Sequence, residues 1–197
     1  AHERPLVFAD NDRPGVMLAG AVRTYLNRYA VRLGTRAVVC TTNDSAYATA
    51  LDLLASGVDV LVADARPDAE PAARVRARGG EVRFGTVVVG TDGDPAVSAA
   101  HLGEPTGGPV ETVHCDLIAM SGGWNPVVHL HSQARGALRY DESLTAFVPD
   151  RAFAAHTSVG SANGELDPKG IRTERMNPKD VMAELRQNGI DDLREVK

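Results

Sequence analysis

Apolar residues fall in short runs separated by polar turns, and the clearest pattern opens at Arg36. Ala37-Val-Val-Cys40 has the form of a buried strand and residues 41–45 that of a tight polar turn. Ala46, Ala50, Leu51, Leu53 and Leu54 then recur at helical spacing up to a Gly57 stop. Val58-Asp-Val-Leu-Val-Ala-Asp64 closes the unit as a second strand, so residues 36–64 predict strand, turn, helix, strand. Ahead of this unit, Leu6-Val7-Phe8 reads as extended and Pro14-Gly15 as a turn. Val16, Met17, Ala19, Ala21, Val22, Leu26 and Tyr29 predict one amphipathic helix that Gly34 ends.

Behind it, residues 66–78 predict a short surface helix with Arg66, Arg74, Arg76 and Arg78 solvated, broken at Gly79-Gly80. Residues 81–90 read as a strand or bent pair, and 91–110, rich in Gly, Pro, Asp, Ser and Thr, as a hairpin or loop excursion at the sheet edge. Residues 113–120 predict one more buried strand, ending in Ser121-Gly-Gly-Trp-Asn-Pro with Trp124 as a buried anchor. Strands alternating with helices indicate an α/β fold around a Rossmann-like βαβ unit.

The βαβ unit has the outline of a nucleotide site without its turn chemistry. Asp64 stands about 20 residues beyond the turn, where a dinucleotide-binding unit carries its ribose-binding acid. A working turn is G-x-G-x-x-G, because the backbone must approach a pyrophosphate resting on the helix N-terminus. Here Thr41, Asn43 and Ala46 stand at the glycine positions, and Asp44 is expected to cap the helix with a carboxylate, where an anion would need to sit. The favoured reading is a degenerate Rossmann half kept as scaffold.

Composition narrows the partners. The 197 residues suffice for one good-sized domain or two small ones, and 43% hydrophobic with 24% charged residues is ordinary for a globular chain. A net charge of -5 argues against nucleic acid or an anionic membrane as the main partner, leaving small molecules and proteins. Cys40 and Cys115 lie in separate apolar runs and read as buried, reduced thiols of a cytoplasmic protein. No apolar run reaches the roughly 18 residues of a membrane span. The chain opens without Met and in mid-motif, which points to a fragment.

Four motifs, in order, carry a family resemblance. They are Ala1-His-Glu-Arg-Pro-Leu-Val-Phe-Ala-Asp-Asn-Asp-Arg-Pro-Gly-Val-Met-Leu18, Thr41-Thr-Asn-Asp-Ser-Ala-Tyr47, Ser121-Gly-Gly-Trp-Asn-Pro-Val-Val-His-Leu-His-Ser-Gln133 and Ser158-Val-Gly-Ser-Ala-Asn-Gly164. A strand ending in small residues and then Asn-Pro resembles the return from the inserted pyridine-nucleotide domain in flavoprotein reductases with two dinucleotide domains. Within that superfamily, residues 1 to about 164 closely resemble the alpha subunits of bacterial heterotetrameric sarcosine oxidases.

The resemblance implies an FAD/NAD(P)-binding-like fold divided into four stretches. Residues 1–29 would be the outward crossing and helix of a first dinucleotide-binding domain, 30–115 an inserted and empty NAD-binding-like domain, and 116–164 the return; 165–197 would be a charged helical tail. It also implies an oxidoreductase acting on the CH-NH group of sarcosine, with folate as one-carbon acceptor. NAD would sit in the first domain, with FMN and FAD in the complete complex and a beta subunit carrying the amine-oxidising chemistry. Ala1, His2, Ala162, Asn163 and Gly164 would edge the NAD site, and the glycine fingerprint that grips its pyrophosphate would precede Ala1. No residue here is implied as catalytic or as a metal ligand. The competing readings are a free-standing NAD(P)H-dependent oxidoreductase, opposed by the degenerate turn and the lack of a C-x-x-C pair, and a non-catalytic scaffold module.

The remaining candidates are bland. His129-Leu-His131 would put both rings on one face if extended, yet no Cys or carboxylate lies near enough in sequence to complete a metal site. These rings are expected to pack and hydrogen-bond. Ser121 and Ser132 have no base at motif spacing. In the tail, Asn177 caps a helix begun by Pro178, with Val181, Met182 and Leu185 as its apolar stripe, and residues 165–197 resemble the cytoplasmic domain of YetF-type membrane proteins, which suggests a join of unrelated sequences near Gly164.

Overall fold

Residues 37–40, 60–63 and 117–120 are apolar at every position, as a strand must be when both its faces are covered. The computed structural model describes residues 1–153 and 155–163; Gly164 and the tail expected at 165–197 lie outside them. In chain order the elements are β1 (His2–Glu3), β2 (Val16–Leu18), α1 (Ala19–Tyr29), β3 (Arg36–Thr41), α2 (Ser45–Ala55), β4 (Asp59–Asp64), α3 (Ala72–Ala77), β5 (Glu81–Phe84), β6 (Val87–Asp92), β7 (Ala99–Gly103), β8 (Glu111–His114), β9 (Leu117–Ser121), β10 (Trp124–Asn125), α4 (His129–Gln133), β11 (Leu138–Asp141), β12 (Ala146–Pro149) and a final 3-10 turn, Gly160–Ala162. They form two compact units, Glu3–Gly123 and Ala1–His2 with the chain from Trp124 onward.

In the first unit five parallel strands run in the order β2-β9-β3-β4-β5. Side chains alternate across each strand, so Ala37, Val39, Val60, Val62, Leu117 and Ala119 meet α1, α2 and α3 through Val22, Tyr47, Leu53 and Val75. Val38, Cys40, Leu61, Ala63, Ile118 and Met120 face the other way, against Val88, Ala100 and Leu102 of an antiparallel meander, β6-β7-β8. The βαβ unit predicted over 36–64 is therefore present with both strands and the helix, and Gly57 follows the helix at φ +80°.

Four expectations change. The helix predicted from Val16 begins three residues later, because Val16, Met17 and Leu18 pair with Ile118, Ala119 and Met120 as an edge strand. It also ends before Gly34, at Ala30 in the left-handed region (φ 54°). The stretch 91–110 does contain a hairpin turn, between β6 and β7, but not at a sheet edge: β7 is the middle strand of the meander and buries Ala99, Ala100 and Leu102 over the sheet. The single strand predicted over 113–120 is two strands, because Cys115 N–H donates to Ser98 in the meander while Asp116 N–H donates to Arg36 in the parallel sheet. Within this unit β2, α1 and β9 share the sheet and core with the βαβ strands and helix.

The second unit is small. β11 and β12 form an antiparallel hairpin in which Tyr140 opposes Phe147, their rings edge-to-face at 5.3 Å. Its turn is tied by Asp141, whose carboxylate accepts from the Ser143 hydroxyl and the Ser143 and Leu144 N–H groups. The Ser143 hydroxyl and Arg139 guanidinium hold that carboxyl down at about 2. Trp124, expected as a buried anchor, is 40% exposed.

Candidate functional site

In an open parallel sheet, ligands bind beyond the carboxyl ends of the strands where the strand order reverses, which here is at β3 between β4 and β9. Those strands end in Thr41, Asp64 and Ser121, three polar residues that are each fully buried. A buried polar group must be bonded, and the partners of these three decide what the edge can hold.

The β3–α2 turn is closed on itself. Thr41 Oγ donates to the Asn43 carbonyl at 2.9 Å and accepts the Asn43 N–H at 3.0 Å. The Asn43 side-chain amide donates to Ser121, backbone and hydroxyl, at 3.1 Å each. Its Oδ1 accepts the Ser45 N–H at 3.0 Å and the Ser45 hydroxyl at 2.5 Å. Asn43 thus supplies the acceptor at the start of α2, an Asx turn at a helix entrance. Asp44, expected as that cap, makes no capping bond and instead pairs with Arg66 Nη2 at 2.8 Å.

Asp64 is enclosed with the same arginine. Its Oδ1 accepts Arg66 N–H at 3.0 Å and Nε at 3.1 Å; its Oδ2 accepts Arg66 Nη2 at 2.8 Å and the Tyr47 hydroxyl at 2.9 Å. Burial and then the Asp64 hydrogen bond push the Tyr47 hydroxyl above its ordinary range, and the Asp64 bond chiefly raises Arg66. The residue placed for a ribose contact has its oxygens engaged by its own chain. Arg66, read from sequence as one of four solvated arginines, is the centre of this group; Arg74 and Arg78 are exposed as expected, while Arg76 donates to the Val82 carbonyl.

A third carboxylate occupies the other helix. Glu3 Oε2 accepts the Gly20 N–H at 2.8 Å, in the first turn of α1. Burial raises its pKa, against the Gly20 and Ser121 hydrogen bonds that favour the charged form. Gly122 and Gly123 let the chain at Arg4 cross beside β9: Arg4 N–H donates to Gly123 at 2.8 Å, Gly122 N–H to Arg4 at 2.7 Å, and a Cβ on Gly122 would sit 3.2 Å from the Arg4 oxygen. The cavity left at this edge, between Leu6, Phe8, Cys40, Thr42, Ala65 and Val88, has about 100 Å³. Small-molecule sites run from about 300 Å³ upward. These residues do not fit a dinucleotide: both helix N-termini are filled, and two carboxylates surround one guanidinium where phosphate would approach.

Other candidates sort as follows. Burial pushes Cys40 up to about 12 and Cys115 up to about 11, so both free thiols are unreactive. His129 and His131 do not share an extended face. They lie on α4, His129 against His2 with ring centroids 6.2 Å apart, and His131 buried. Among the described residues no group of three metal-capable side chains gathers, and no helix is long and apolar enough to cross a membrane. Of the residues expected to edge an NAD site, Ala1 and His2 belong to the second unit, as do Ala162, which ends the 3-10 turn, and Asn163, whose N–H donates to Gly160 at 2.9 Å. Among the described residues no hydrogen bond or ring contact joins the two pairs, and Gly164 is outside that set. Sequence reasoning missed Glu3, for which nothing local gives a sign, and the Asp64–Arg66 pairing, for which the two-residue offset at a strand end was the available signal.

The first unit has the Rossmann-like α/β fold found in FAD/NAD(P)-binding oxidoreductases, with the turn at its strand ends bonded to itself. The crystal structure of T. acidophilum thioredoxin reductase is similar, with a TM-score of 0.64 at 15% identity over 83% of this chain and 55% of that one. No family model matches the chain. In sequence it is homologous to sarcosine oxidase subunit alpha. It is 51% identical over 175 residues to that subunit of Corynebacterium sp. (strain P-1) and 48% identical over 174 residues to that of Corynebacterium sp. (strain U-96), alignments that take in 85% of this chain. The chain spans 18% of the length of each of these relatives.

Proposed function

We propose that this chain is part of the NAD-binding alpha subunit of an amine-oxidising complex, and that it supports nucleotide binding and subunit assembly without carrying the chemistry. The complete complex would oxidatively demethylate sarcosine to glycine in the cytoplasm, with folate accepting the one-carbon unit. FMN and FAD would reside in that complex, and a beta subunit of the heterotetramer would hold the amine-oxidising site. Residues 30–115 would be an inserted, empty dinucleotide domain. Ala1, His2, Ala162, Asn163 and Gly164 would edge the NAD site of the first domain.

The observation that supports the scaffold role is the Asp44–Arg66–Asp64 group, which sets two carboxylates beside a β3–α2 turn already closed by Thr41 and Asn43. A turn kept in shape while closed to phosphate serves as scaffold. The test is a titration with NADH, followed by fluorescence, of the unaltered chain and of Asp44→Gly. The unaltered chain is expected to show no saturable binding below about 1 mM, a free energy weaker than about 4 kcal/mol. Opening the group in Asp44→Gly is expected to bring the first measurable binding. Micromolar binding by the unaltered chain that Asp44→Gly leaves unchanged would overturn the scaffold reading.

A further inference from the structure

The second unit seats a histidine as carefully as a catalytic site would. His131 is 4% exposed, and its Nε2 lies 2.8 Å from the Ala137 carbonyl oxygen. A carbonyl only accepts, so Nε2 carries a hydrogen and, in the neutral ring, Nδ1 is the acceptor. Two donors converge on that Nδ1: His156 Nε2 at 3.0 Å and the Ser158 hydroxyl at 3.4 Å. The two imidazoles meet edge-to-face with centroids 5.1 Å apart. The second lone pair of the Ala137 oxygen is taken by the Asp150 N–H at 2.9 Å, and a Cβ at Gly136 would run into the His131 ring. Direction and tautomer are therefore fixed along the whole chain of bonds, from His156 through His131 to Ala137.

We propose that the His131–His156 pair is a one-proton latch, which holds residues 156–158 on α4 while the pair carries at most one extra proton and lets them go when both rings are charged. The first proton goes to the second ring nitrogen of His156 and leaves the N–H···N bond in place, now charge-assisted. A second proton on His131 Nδ1 sets two donors face to face at the 3.0 Å position of the present bond. Ser158 can turn its hydroxyl to accept, but nothing replaces His156. The charged residues on the flanking chain are Arg135 after α4, Arg139 and Asp141, which bind each other at 2.9 Å, Glu142, and Asp150 and Arg151, bonded to Ala137. None of them hydrogen-bonds or ion-pairs with either ring, and the remaining titratable group of α4, His129, faces His2. With the segment released, the pair thus binds one proton more than when it is docked. Docking therefore weakens as pH falls, by up to about tenfold per pH unit, the slope of one linked proton.

The test uses the full 197-residue chain. Histidine ring ¹⁵N spectra between pH 8 and 5 report tautomers, and trypsin cleavage after Arg151, normalised at each pH to an unstructured peptide, reports release. The expected result is a His131 ring in the Nε2–H form down to the pH at which cleavage accelerates, with the rate then rising by about tenfold per unit. His156→Gln keeps a donor to neutral Nδ1 and, once His131 is charged, can turn its amide oxygen to accept from it, so its cleavage rate is expected to stay flat over the same range; Ser158→Ala is expected to keep the wild-type profile. An Nδ1–H tautomer of His131 at pH 8, protonation of both rings without faster cleavage, or an acid-triggered rise that survives in His156→Gln would each overturn the latch.

Discussion

Arg66 stands between two carboxylates of unequal freedom: Asp64 is fully buried, while the Asp44 side chain keeps about half its surface, 51%, in water. The two contacts should therefore differ greatly in worth. A half-exposed ion pair contributes about 0 to 1 kcal/mol, whereas removing the partner of a buried carboxylate costs about 3 kcal/mol or more because an uncompensated charge stays behind. Chemical denaturation is expected to rank Arg66→Ala as the largest loss, on the order of 3 kcal/mol, with Tyr47→Phe at about 1 kcal/mol and Asp44→Ala near zero. An Arg66→Ala loss no larger than that of Asp44→Ala would mean that Asp64 finds other partners. Residue identity announced an acid at the ribose position. It could not announce that Arg66 and Tyr47 close over it, because Tyr47 reaches Asp64 only once α2 lies on the sheet.

At the scale of elements, what was legible follows burial. The βαβ unit over 36–64 was readable because strands covered on both faces are apolar throughout, a local property. The junction between β8 and β9 was not, since residues 113–120 read as a single apolar run and the switch is made by distant acceptors, Ser98 and Arg36. That junction is tied down by Asp116. Its carboxylate accepts the Thr35 N–H, the Thr35 hydroxyl at 2.7 Å and the Arg36 N–H at 2.9 Å. Burial alone would raise its pKa, but the bonds from Arg36 and Thr35 outweigh it and the pKa is lowered. A carboxyl depressed by folding adds stability above its unfolded value, about 3.9, and loses that stability as pH falls toward the folded value. Asp116→Asn is therefore expected to be less stable than the unaltered chain at pH 7, by well under about 1 kcal/mol because water screens this exposed carboxylate, with the gap narrowing as pH falls. A gap that stays constant from pH 7 to pH 2 would show that the charge is not what ties the strands.

At the scale of the molecule, the core is distributed unevenly. Both hydrophobic clusters lie wholly within Glu3–Gly123, one on each face of the parallel sheet. In the described residues from 124 onward, the buried apolar side chains are Pro126, Ala146 and Val148. A two-stranded hairpin with a helix of little more than one turn does not bury enough surface to stand alone in water. A sheet of five strands covered on both faces does, at a length typical of small domains. Residues 3–123 expressed alone are expected to unfold in one cooperative transition, with Val38, Val39, Ile118 and Ala119 as the slowest-exchanging amides. Residues 124–163 alone are expected to show dispersed amide signals at no pH. The same asymmetry bears on function: the self-supporting unit is the one whose strand-end turn is closed, and Ala1, His2, Ala162 and Asn163, proposed to border an NAD site, lie in the unit whose described residues form no hydrophobic cluster. If residues 3–123 fail to fold while the full chain folds, the sheet depends on the second unit, and the proposal that the closed Rossmann half is an independent scaffold loses its energetic basis.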